Sequence, residues 1–214
     1  MMCWLLGLSS PQIGALKAKP SLVSDLVKAA EDDAHRAAVE DAMKRLSPEE
    51  RKRVEAVRAQ LQAGTDDKEV ADARERVGML GPYERAIRLE KSWHMLHYLL
   101  TGHVSPSNAP GDLLLTGEDL GEDVGYGPAR LHSPAATREF GQFLATQDLA
   151  RLQARVDLNK IVGLGLYGMP VGRAPIPADY ENELLADVAR YFPLLRDYVR
   201  TMSDKGNGLL IWVS

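Results

Sequence analysis

Gly206-Asn207-Gly208-Leu209-Leu210-Ile211-Trp212-Val213 decides the fold: a glycine-asparagine turn leads into apolar residues with no polar interruption. The run is too short for a stable helix, and a strand half open to water would alternate. It therefore reads as a central strand covered on both faces. Met1-Met2-Cys3-Trp4-Leu5-Leu6-Gly7-Leu8, at the other end, reads the same way. Between the two ends the apolar residues recur mostly at helical spacing. The pattern predicts an α+β fold, with a small mixed sheet built from N-terminal, middle and C-terminal strands and packed against several helices. The chain reads as a single domain over residues 1–214, with a charged helical insertion at about residues 31–85.

Punctuation residues place the helices. Ser10-Pro11 opens a short one that Pro20 ends, and Ser21 caps a long one whose narrow stripe is rich in alanine: Leu22, Leu26, Ala30, Ala34, Ala38. Ser47-Pro48-Glu49-Glu50 is a capping box, with Gly64 as the helix stop and another charged helix running from near Asp66 to Val77. About half of residues 31–76 carry charge, of mixed sign, as a solvated helical layer does. Pro82 opens a helix through Ile87, Leu89, Trp93, Leu96, His97 and Leu100 that Gly102 closes. Residues 103–127 read as irregular around a short strand at Leu113-Leu114-Leu115-Thr116, followed by a second extended segment at Tyr126–Leu131. Ser133-Pro134 and Asp148 begin further helices. Gly163 to Pro177, including Pro170, Gly172 and Pro175, reads as a second irregular loop, and Tyr180 to Met202 keeps helical register with a kink or restart at Pro193.

Composition excludes several classes of function. A formal charge of −4 and a pI near 5.8 give no positive field to attract a phosphate backbone, so no nucleic-acid partner is expected. No apolar run approaches the roughly 20 residues that span a bilayer. The apolar start lacks a basic n-region and stops at Ser9-Ser10-Pro11, which argues against a signal peptide. The lone Cys3 cannot form an internal disulfide and reads as a buried, inert thiol in a reducing compartment. A cytoplasmic protein with no membrane partner is the expectation.

Few residues suggest chemistry. Glu90-Lys91-Ser92-Trp93-His94-Met95-Leu96-His97 places two imidazoles three apart on one helix, but zincins use a spacing of four with a glutamate between, so no metal and no cofactor are expected. His97, on the apolar face with Trp93, is the stronger candidate, donating a ring N–H to a backbone carbonyl if structural. Arg130 stands alone in an apolar segment and asks for a carboxylate or an anion. Gly163-Leu164-Gly165-Leu166-Tyr167-Gly168 lacks the strand and helix a nucleotide-binding glycine loop requires. Glu118, Asp119, Glu122 and Asp123 bunch in a loop without calcium-loop spacing and suit a cationic partner.

Lys91-Ser92-Trp93-His94, His97-Tyr98-Leu99-Leu100-Thr101-Gly102, Tyr126-Gly127-Pro128-Ala129-Arg130 and the C-terminal Gly206–Val213 run together resemble the YfbM-like family of bacterial proteins, a domain of unknown function. The resemblance implies a compact α+β domain and carries over no reaction, cofactor or catalytic residue. The resulting expectation is a non-catalytic protein-binding module, in concrete form a toxin-neutralising immunity-type protein, whose partner presents a basic surface to Glu118, Asp119, Glu122 and Asp123. The alternative is a small-molecule enzyme or ligand-binding protein with a pocket around Trp93, His97, Tyr126 and Arg130. Oligomeric state is not legible.

Overall fold

The computed structural model describes residues 1–62, 67–107, 109–169 and 179–214, with the backbone alone for 57–62 and 67. Both terminal runs are strands. The sheet consists of β1 (Cys3–Leu8), β2 (Ile87–Arg88), β3 (Glu118–Asp123), β4 (Pro128–His132) and β5 (Gly208–Val213), in the order β2-β1-β5-β4-β3. At its centre β1 and β5 pair along their whole length, Trp4 opposite Trp212, and the two indoles lie nearly parallel with ring centroids 6.0 Å apart.

The helices are α1 (Ser10–Ala18), α2 (Leu22–Met43), α3 (Pro48–Gln62), α4 (Asp67–Val77), α5 (Trp93–Thr101), α6 (Pro134–Ala145), α7 (Leu149–Gln153), α8 (Leu158–Ile161) and α9 (Tyr180–Asp204). They sort by the twofold alternation of the central strands. Cys3, Leu5, Leu209, Ile211 and Val213 face a core shared with α5, α6 and α9. Trp4, Leu6, Leu8, Leu210 and Trp212 face a second core shared with α1 and α2. The terminal runs are uninterrupted because each strand residue has a helix to meet. The packing is close enough that a Cβ on Gly208 would run into the His132 carbonyl of β4, and one on Gly7 would displace the Met202 side chain of α9.

Several elements form where the sequence reading puts them. Ser133 accepts the Ala136 amide at 3.2 Å, Asp148 accepts that of Arg151 at 2.9 Å, and Glu50 accepts the Ser47 amide at 2.9 Å to close the capping box. The long helix splits in character along its length: Leu22, Leu26, Ala30 and Ala34 are buried, whereas residues 35–56 contribute no buried side chain.

Other elements differ. Every strand pairing is antiparallel where a mixed sheet is expected. The reason is that the 25-residue α9 carries the chain back so that Gly208 starts β5 beside Leu8, the end of β1. The helix expected from Pro82 begins only at Trp93. Ile87 and Leu89 also fit alternation, and the free side of β1 captures them, with the Leu89 amide donating to the Cys3 carbonyl at 2.9 Å. Leu113–Thr116 is turn rather than strand, with Leu113 and Leu114 buried as plugs. Glu118–Asp123, read as loop, is the outer strand β3; its acidic side chains mask a strand in which only Leu120 is buried. Helix α9 runs through Pro193 without a restart. Gly64, Asp66 and the Pro170–Pro177 part of the second irregular loop lie outside the described residues.

Candidate functional site

The helix α5 stops because Gly102 adopts a left-handed conformation, φ 77°, and returns its amide to the Tyr98 carbonyl at 2.7 Å. Its two histidines are held differently. His94 Nε2 lies 2.8 Å from the Val104 carbonyl, and Nδ1 accepts the Tyr167 amide at 2.9 Å. Only the neutral tautomer with hydrogen on Nε2 satisfies both, so His94 clips two loops together and keeps no nitrogen for a metal.

His97 is sealed from solvent. Its Nε2 faces the Ser105 carbonyl at 3.4 Å, and its Nδ1 stands 3.5 Å from Asp112 Oδ1, also buried. Burial pushes His97 below the usual imidazole range, opposed by the Asp112 carboxylate. Asp112 also accepts the Ser107 amide, and its own carbonyl accepts the Thr116 hydroxyl. It is thus the hub on which the loop after α5 is folded. His132, on β4, is buried and pushed down for the same reason, with its Nε2 against Gly117.

The four residues considered for a pocket are not gathered around one opening. Trp93 and His97 are enclosed beneath α5, whereas Tyr126 is 59% exposed in the β3–β4 turn. Arg130 donates to the Leu114 carbonyl at 3.4 Å instead of pairing with a carboxylate. Cys3 is buried, and its thiol is pushed up to about 12. Among the described residues no group of three or more His, Cys, Asp or Glu is arranged to hold a metal ion, and no helix is long and apolar enough to cross a membrane.

The four acids lie along β3. Glu118 pairs with Lys17 at 2.5 Å, and Asp123 accepts the Gly125 and Gly127 amides at 2.7 and 3.1 Å, which shapes the turn to β4. Asp119 and Glu122 remain exposed.

A cleft of about 750 Å³ lies at the opposite edge, over β2. Ala34, His35 and Ala38 of α2 form one wall and Arg190, Tyr191 and Leu194 of α9 the other, with Trp4, Ile87 and Arg88 on the floor. The Arg88 guanidinium sits 5.5 Å over the Trp4 ring, and that of Arg190 sits 5.1 Å over Tyr191. Glu90, at the lip, is the non-glycine residue with positive φ among those described, at 49°, a conformation that surroundings must enforce. Sequence reasoning missed this cleft because its residues come from four distant segments. The available signal was Arg88, a charge between Ile87 and Leu89 that a buried helix would not carry.

Residues 1–212 match a family described as a domain of unknown function (DUF1877). A solved structure titled as a protein of unknown function, YfbM from Escherichia coli, shares the fold with a TM-score of 0.57 at 17% identity, covering 99% of this chain and 98% of that one. No curated protein matches the chain. The chain belongs to the DUF1877 family.

Proposed function

We propose that the protein is a non-catalytic protein-binding module that meets a partner with a basic surface along β3. The observation that carries this reading is the outer strand itself, where Asp119 and Glu122 stand free of the ion pair and turn bonds that occupy Glu118 and Asp123. The fate of the residues that suggested chemistry supports it: His94 has both nitrogens engaged, and Cys3 is held as a thiol. An acidic surface speeds and selects encounter with a cationic partner. In concrete form the role is that of an immunity-type protein neutralising a toxin in the cytoplasm.

The test is cross-linked capture from a bacterial lysate with the wild type and with an Asp119→Lys, Glu122→Lys double variant. The expected result is a stoichiometric partner with a basic surface, lost on charge reversal and weakened by salt above about 0.1 M, where the screening length is about 10 Å. Capture that survives both, or a partner with an acidic surface, overturns the reading.

A further inference from the structure

We infer that the cleft over β2 binds an extended acidic peptide segment of another protein by adding it as a strand to the sheet. The backbone supplies the first argument. In the β1–β2 ladder the Leu89 amide bonds the Cys3 carbonyl, which makes Ile87 and Leu5 the next bonded pair. Arg88, opposite Trp4, therefore turns its N–H and C=O away from β1. Among the described residues neither group has a hydrogen-bond partner. Further along the same side of β1 the gap is closed, because the Tyr198 hydroxyl accepts the Gly7 amide at 2.9 Å. At this edge of the sheet the described backbone is left open at one residue, at the bottom of a cleft.

The walls supply the second argument. An added strand points its side chains alternately to the two faces. Here one face is lined by Ala34 and Ala38 and the other by Tyr191 and Leu194, so aliphatic side chains have apolar surface on either side. A cleft of about 750 Å³ is also of the size that ligand sites occupy, about 300–1,000 Å³.

Charge selects among peptides. The carboxylates of the cleft are already answered: Glu84 by Lys205 at 2.7 Å, Glu90 by Arg88, and Asp197 by Arg196 and Arg200, each at 3.4 Å. Arg190 has no carboxylate within ion-pair distance among the described residues. The uncommitted charge is positive, and its fixed position over Tyr191 suits a carboxylate on the incoming strand. The preference is opposite in sign to that of β3.

The experiment measures fluorescence anisotropy with a labelled octapeptide alternating valine and glutamate, its valine-lysine counterpart, and a valine-glutamate version methylated at its backbone nitrogens. The glutamate peptide is expected to bind at least about tenfold more tightly than the lysine peptide. The methylated version should lose binding, and the Arg88 amide should gain exchange protection in the complex. Arg190→Glu and Leu194→Asp, both at exposed positions, should weaken binding without changing the melting temperature. No binding, equal binding of both charges, or equal binding after methylation, as a small organic anion site would give, overturns the inference. Glu122→Lys should leave this binding unchanged, so failure here is distinct from failure of the β3 reading.

Discussion

The two edges of the sheet solve the same problem in opposite ways. An edge strand presents unpaired N–H and C=O groups that invite another chain, and proteins restrain this with charge, short strands or a cover. At β3 the restraint is charge: Glu118, Asp119, Glu122 and Asp123 line a six-residue strand held to the body by Leu120. At β2 the restraint is brevity and cover, since the strand has two residues and Tyr198 closes the backbone beyond it. The first device repels association through backbone while leaving a charged face; the second leaves one open residue between two walls. Edge chemistry thus leaves a charged face at one side of the sheet and one unpaired backbone residue at the other.

The comparison breaks first if β3 is not docked as described. Replacing Leu120 by alanine removes its one buried side chain and should cost about 2–4 kcal/mol in chemical denaturation, a value near zero meaning that the outer strand adds nothing to the fold. At the other edge, Tyr198→Phe strands the Gly7 amide in a buried site and should cost about 1–3 kcal/mol, with faster exchange of that amide as its signature. Unchanged exchange at Gly7 would show that the phenol does not close the gap.

A third measurement concerns groups at neither edge. Burial lowers His97 and His132, so the unfolded chain binds more protons than the folded one as pH falls through the ordinary histidine value of about 6.5. Their contribution to stability is present above that value and is lost as pH drops through the lowered folded values. Denaturation at pH 7.5 should therefore need more urea than at pH 5.5, and NMR should find both rings titrating below the ordinary histidine value. The smallest effect belongs to Glu122→Lys, which should shift stability by less than about 0.5 kcal/mol because the side chain is exposed, while reversing one charge of the acidic face of β3. A larger loss would mean that the acid is structural.

The legibility of the chain follows the range of the forces involved. Helix starts at Ser47, Ser133 and Asp148 were readable because a cap is a contact between residues three apart or fewer. Residues 82–89 read as helix in sequence but do not form one, because periods of 3.6 and 2 cannot be told apart on so few apolar positions, and a vacant strand edge some 80 residues away decides between them. The acids of β3 hid a strand for the same reason: an outer strand has one buried position from which to show its period.

The sequence alone determined the central pair of strands, because five successive apolar residues at 209–213 admit no arrangement that leaves a face wet. It also determined that His97, and not His94, shares the apolar helix face of Trp93. Tertiary structure decided the direction of the strands, the sealing of His97 against Asp112, and the cleft over β2. Each of these depends on which distant segments are brought side by side, and no local periodicity encodes that choice.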